Sequence, residues 1–242
     1  MSHLFAALLI LLSVTVLANP LTIVTEQYPP YNYEEQGSIK GMSTEVVSAV
    51  LKELDLEVDI EIYPWARAYD MASTQENVLI YSISRTPQRE SLFNWVGVIA
   101  SIDFTIFALE RRQDINIQSL EDIRAYMLGL VRGDALEQFF SANNFTEIER
   151  VNTNKQAMEM LLASRTDLWP ISKQAGAYIL KKNNMIPAQT VRAVFELEEF
   201  SSEDLYMAFS RSTNKKLVND FKRALEKIKE NGIYNEIISR YQ

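Results

Sequence analysis

The residues best equipped for chemistry sit in one block, Ser82-Ile83-Ser84-Arg85-Thr86-Pro87-Gln88-Arg89. It follows the apolar run Val78-Leu79-Ile80-Tyr81, so a buried strand is expected to run out into a polar turn. Hydroxyls, main-chain N–H groups and a guanidinium are thereby gathered at a strand end. That set suits capture of a carboxylate, because Arg offers a planar bidentate fork and Ser and Thr add neutral donors. A plain surface turn, with Arg89 paired to Glu90 or another carboxylate, fits the same octapeptide.

Competing chemistry is scarce. The chain has no Cys, and its one His is His3. Leu4 to Leu17 is almost wholly apolar and ends in Val16-Leu17-Ala18, the pattern of a signal peptide over residues 1–18 with cleavage before Asn19. The stretch is short for a membrane span, and an uncleaved anchor is the alternative. The mature chain then lacks both His and Cys. This excludes Ser-His-Asp and Cys-His nucleophilic sites, His-ligated zinc and thiolate chemistry. It also excludes a disulfide framework and a lipid-bearing Cys at the mature start. No cofactor and no metal are expected, and the periplasm of a Gram-negative cell is the expected location. The net charge of −8 argues against a nucleic-acid partner. An apolar fraction of 47% suffices for one large core or two modest ones.

The elements that must position the block alternate between strand and helix, the signature of an α/β protein. Strands are expected at 21–25, 57–63, 78–82, 104–109, 127–131, 167–171, 191–197 and 206–209. Helices are expected from Ser43 or Thr44 as N-cap to Leu54, from Pro64 to Ser73, and from Asp134 as N-cap to Ala142. Further helical patterns cover 156–163, 174–182 and 217–228, with a short one closing at Tyr241, and a capped helical turn covers 119–123. Tyr28-Pro29-Pro30-Tyr31 enforces an extended loop, and a Gly-bounded turn follows at Gly37 and Gly41.

In their order and spacing these landmarks resemble the family 3 periplasmic solute-binding proteins, the polar-amino-acid receptors of ABC importers. The likeness rests on Tyr28-Pro29-Pro30-Tyr31, Gly41-Met42, Pro64-Trp65 and Ser84 to Arg89. Leu130-Val131-Arg132-Gly133-Asp134 and Asn231-Gly232-Ile233-Tyr234 extend it over nearly the whole mature chain. The resemblance implies a bilobal α/β fold with a ligand cleft between lobes joined by two hinge strands. The first lobe would be 19–102 plus 204–242, the second 103–203. It further implies that Arg89 grips a ligand carboxylate with help from Ser82 and Ser84, that Tyr28 and Trp65 wall the ligand, and that the Arg132 turn reaches it from the second lobe. The expected partners are a small-molecule ligand and a membrane ABC permease, with the receptor a monomer.

One position departs from the pattern. Where the amino-acid receptors carry a second-lobe carboxylate for the ligand ammonium, this chain has Ser172, followed by Lys173. A hydroxyl does not offset the desolvation of an ammonium as a carboxylate does. Arg67 and Arg85 could add positive charge near Arg89. The expected ligand is therefore carboxylate-bearing, with its amine in question. Two other uses of the same scaffold remain open: a sensory receptor for a membrane signalling protein, and a dehydratase-like enzyme with Glu26, Glu45 or Glu203 as its acid.

Overall fold

The computed structural model describes residues 20–198 and 204–241; the expected leader and Glu203 lie outside the described residues. In chain order the first lobe contains β1 (Thr22–Thr25), β2 (Tyr33–Glu35), β3 (Ser38–Lys40), α1 (Met42–Glu53), β4 (Ile60–Ile62), α2 (Trp65–Thr74), β5 (Val78–Ser84) and β6 (Phe93–Ser101). The chain then passes through Ile102 and Asp103 into β7 (Phe104–Leu109), β8 (Leu128–Val131), α3 (Ala135–Ala142) and β9 (Ile148–Val151). It continues through α4 (Asn154–Leu162), β10 (Trp169–Ser172), α5 (Lys173–Lys182), α6 (Pro187–Thr190) and β11 (Val191–Glu196). It returns in β12 (Asp204–Ser210) and closes with α7 (Lys215–Glu230) and α8 (Ile233–Ser239).

Two sheets make two lobes. The first has the order β4-β1-β5-β12-β6, with β1 parallel to β4 and β5 and the returning β12 antiparallel between β5 and β6. The second lobe holds the three strands β10-β7-β11 and the parallel pair β8-β9. Every residue of β5 is buried, as its unbroken apolar start requires of a strand covered on both faces. On α7, Val218, Phe221, Leu225 and Ile228 form the buried stripe, and a Cβ on Gly97 of β6 would meet Leu225 at 2.8 Å. Helix and sheet are that close because residue 97 has no side chain.

Several expectations are corrected. The strand β6 was not read, because Asn94 and Gly97 interrupt its apolar residues; pairing with β12 along its length holds it. The strand β9 and the four-residue α6 were also missed, and β4 is shorter than 57–63. The Gly-bounded turn is a hairpin joining β2 to β3, with Gln36 and Gly37 both at positive φ, 54° and 74°, as a tight two-residue turn demands.

Neither Ser43 nor Thr44 caps α1. Gly41 is the N-cap, at φ 115°, and the first helical N–H groups bond main-chain carbonyls instead: Met42 to Pro30 at 3.0 Å, Ser43 to Tyr31 at 2.9 Å. The loop that ends in Tyr31 is thus moored to the helix start. A Cβ at Gly41 would lie 2.4 Å from the Tyr31 carbonyl oxygen, in a φ range that L-residues avoid. Gly41→Ala is expected to destabilise the fold by more than about 2 kcal/mol. In thermal denaturation this is a fall of at least about 4 °C for a chain of this size.

Candidate functional site

Arg89 is the centre of the site. The strand β5 ends at Ser84, and the turn through Thr86, whose carbonyl accepts from Arg89 N at 3.0 Å, brings the guanidinium back over the strand end. Arg89 is only 1% exposed. Its Nη1 donates to the Ser84 carbonyl at 3.2 Å, its Nη2 to the Gly133 carbonyl at 3.2 Å and its Nε to Gln138 Oε1 at 3.1 Å. Gly133 and Gln138 belong to the second lobe, so the guanidinium bridges the cleft. Trp65 and Tyr69 lie on one face of α2, four residues apart, with their ring centres 5.2 and 5.1 Å from the Arg89 guanidinium carbon. Trp65 also donates from Nε1 to the Gly133 carbonyl at 2.8 Å. Burial lowers the Arg89 pKa from its ordinary value, and the group stays cationic.

The cavity beside Arg89 measures about 40 Å³ and is lined from both lobes. On that measure a water needs about 10–15 Å³, so the space holds a few waters, and an amino acid enters only with the lobes apart. Tyr28 walls it, stacked on Tyr31 at 5.3 Å.

Ser82 shows how the strand is bent to serve it. On β5, Tyr81 faces Met207 and Ile83 faces Tyr206, so Ser82 is an extra residue, a bulge, with φ at 60°. Ser82 lines the cavity, and its buried hydroxyl has no partner among the described residues. A non-glycine residue held in this region inside a buried strand stores strain, and such strain accumulates where a side chain must be aimed.

Two carboxyls face the same cavity. Glu26 is the first residue after β1, and Asp134 is the N-cap of α3, its Oδ1 accepting from Glu137 N at 2.7 Å as the sequence reading expected. Burial, then the like charge of Asp134, push Glu26 up to about 8 against the opposing pull of Arg89. Burial raises Asp134 to about 7, although its bond from Glu137 N and the charge of Arg89 act the other way. Tyr28 is pushed up by burial, and Tyr31 to about 12 for the same reason.

The structure brings together Tyr28, Trp65, Ser82, Ser84 and Arg89 around this cavity; Arg132 and Ser172 are not among its lining residues. Arg132 is exposed, and it contributes its main-chain N–H to the Val151 carbonyl at 2.9 Å. Ser172 is fully buried as the N-cap of α5, accepting from Ala175 N at 3.1 Å and facing the phenols of Tyr28 and Tyr31. Lys173 points away, to Glu196 at 3.0 Å and Asp103 at 3.9 Å. Arg67 lies over Tyr63, and Arg85 forms a two-pronged pair with Glu90 at 2.8 and 2.6 Å. The extra positive charge anticipated in the cleft is thus outside it. Glu45, one candidate acid, is tied to Arg240 and Tyr241.

Sequence reasoning passed over Tyr69 and Gln138. Tyr69 was findable as the residue one turn after Trp65, and Gln138 as the residue one turn after Asp134.

Two α/β lobes with a buried guanidinium bridging the cleft between them define a solute-binding protein. The model of the bacterial extracellular solute-binding proteins, family 3, matches residues 21–242, and the chain belongs to that family. The arginine-binding extracellular protein ArtP of Bacillus subtilis (strain 168) is 21% identical over 209 residues, 85% of this chain and 78% of ArtP. The L-cystine-binding protein TcyA of the same organism is 23% identical over 228 residues, 91% of this chain and 80% of TcyA. Among solved structures, a histidine kinase sensor domain with similarity to periplasmic binding proteins superposes with a TM-score of 0.81 at 18% identity, covering 91% of this chain and 95% of that one.

Two measurements check the site. Ser82→Gly relieves the positive φ and is expected to stabilise the fold by about 1 kcal/mol, while removing the hydroxyl weakens ligand binding; a variant both less stable and unchanged in affinity contradicts this. Glu26 binds its proton more tightly folded than unfolded, so its stabilisation is complete below its ordinary value of 4.5 and is lost as pH rises through about 8. The melting temperature of the native chain is therefore expected to fall more between pH 5 and pH 9 than that of Glu26→Gln.

Proposed function

We propose that this protein is an exported, monomeric receptor that captures an amino acid in the interlobe cleft and presents it to a membrane ABC permease. On this reading the lobes divide at 102/103 and 203/204. The observation that carries it is the fully buried Arg89 guanidinium, framed by aromatic rings at the junction of the two lobes. A ligand carboxylate replaces the Gly133 and Gln138 oxygens on the guanidinium, and the unpartnered Ser82 hydroxyl adds a neutral donor. Closure follows because only the closed form offers both lobes to the ligand.

Charge balance selects among amino acids. Once ionised beside Arg89, Glu26 and Asp134 give the cleft a charge of minus one, and an incoming cation lowers the raised proton affinities of both and so favours that state. A zwitterion leaves that charge in place, whereas an amino acid with a cationic side chain cancels it. An unbalanced buried charge costs several kcal/mol, so a ligand such as arginine or lysine is favoured over a dicarboxylate. This reverses the leaning drawn from Ser172 and Lys173, since the acids that receive an ammonium are supplied from other positions. ArtP, an arginine-binding relative, is consistent with it.

A second reading has one observation behind it. Glu26, a carboxyl raised to about 8 inside a cavity, has the character of a general acid. Incubation with cyclic carboxylic acids and product analysis separates it from binding alone; turnover abolished in Glu26→Gln would establish it.

Calorimetry with L-arginine and L-lysine tests the main proposal. Binding is expected, and Arg89→Ala is expected to cost about 2–5 kcal/mol of it. A chain stabilised by dicarboxylates and by no amino acid would overturn the assignment.

A further inference from the structure

The two acids of the cleft come from opposite lobes. Glu26 follows β1 in the first, Asp134 caps α3 in the second, and the closed arrangement places both beside one cation. That cation is already engaged. The Arg89 donors go to the neutral oxygens of Ser84, Gly133 and Gln138, and among the described residues no carboxylate stands within ion-pair distance of it. The Glu26 carboxyl receives no hydrogen bond among the described residues; only its main-chain carbonyl is used, by Asn32 at 2.7 Å. Asp134 accepts from Glu137 N, with Leu136 N also against it, and meets no cationic side chain within ion-pair distance among the described residues.

Beyond Arg89 and the α3 N-terminus that Asp134 caps, the surroundings offer no further positive charge. The residues that β7, α4, β10 and β12 contribute to the cavity carry no titratable group. The first lobe adds the phenols of Tyr28 and Tyr31, both held neutral by burial, and that of Tyr69 against Arg89. The second adds Glu137, which is occupied by Gly133 N at 3.2 Å and by Arg150 at 2.8 Å. Both carboxyls are half-buried in the closed arrangement, so closing the lobes with both ionised crowds two partly desolvated negative charges around one cation. With the lobes apart, each carboxyl faces water and its charge costs little.

We propose that protons drive closure of this cleft: Glu26 and Asp134 take up protons as the lobes come together, and ionise as they separate. Acid then favours a closed form in which Gly133 and Gln138 occupy the guanidinium, and alkali favours the open, receptive form. A cationic ligand does the work of the protons, so it closes the cleft at a pH where protons alone do not. The raised proton affinities of both acids in the closed form agree with this. The inference rests on the same cleft being the ligand site, but not on which ligand it takes.

The other interlobe contacts keep their charges over the relevant range. At the mouth, Tyr33 packs on Tyr178 at 5.3 Å and Glu35 pairs with Lys182. The pairing holds Glu35 below its ordinary value and Lys182 above its own, so neither titrates near neutrality.

The test needs no ligand. The chain has no Cys, so Ser38→Cys on β3 and Lys181→Cys on α5 accept one spin label each across the mouth. Electron–electron distance measurements on the purified protein, with no amino acid added, are compared at pH 5.5 and pH 9. The short-distance population is expected to dominate at pH 5.5. Its ratio to the long-distance one should fall by about tenfold per pH unit over which one carboxyl titrates. Glu26→Gln with Asp134→Asn, which keeps a capping oxygen on α3, is expected to stay closed at both values; the single Glu26→Gln is expected to halve the pH response in logarithmic terms. Identical distance distributions at both pH values, or a double variant that follows pH as the parent does, would overturn the proposal. Neither result bears on whether arginine or lysine binds, and failure of those ligands to bind leaves this experiment readable.

Discussion

One buried cation organises this protein. A guanidinium taken wholly out of water is tolerable only when its N–H groups meet oxygens and its faces meet π-systems or aliphatic surface. Arg89 achieves this by drawing on both lobes at once: Ser84, Trp65 and Tyr69 from the first, Gly133 and Gln138 from the second. The Gly133 carbonyl is the shared point, since it also accepts from Trp65 and from Gln138 at 3.2 Å. Contacts made by a cation to neutral dipoles are individually exchangeable for a stronger carboxylate, and that exchangeability is what suits a closed cleft to release its hold and accept a ligand.

The supporting features follow from that demand. The bulge at Ser82 bends a strand that would otherwise turn its hydroxyl elsewhere, at the cost of a left-handed residue in the central strand. The loop carrying Tyr28 is anchored by carbonyls that cap α1, which ties this wall of the cavity to the core of the first lobe. Gly41 permits the approach, which a Cβ would block.

Acidity has been redistributed rather than removed. The second-lobe position where a carboxylate was expected holds Ser172, whose hydroxyl caps α5 and meets two tyrosine phenols. The carboxyls instead stand at Glu26 and Asp134, on either side of the cleft. A helix N-terminus stabilises Asp134 by its free N–H groups, so the same residue serves local structure and site electrostatics without conflict.

How much of this was legible in the chain depends on the range of each interaction. Local chemistry was: the apolar run of β5 ending in a polar turn, Asp134 three residues before the N–H it accepts, the buried stripe of α7, and Trp65 at the head of α2. Each is decided by neighbours within a few positions, where residue type and period carry the physics. The absence of Cys, and of any His after His3, likewise limited the available chemistry without any structure. What lay beyond reach was whatever depends on residues a hundred positions apart. The strand β6 exists because β12 pairs along it, and the Ser82 bulge exists because β12 skips that residue. That Lys173 turns outward to Glu196, and that Glu26 and Asp134 converge on Arg89, follow from how two lobes meet. Composition assigns a charge to each side chain; only the tertiary structure decides which of those charges share a cavity, and so what that cavity can hold.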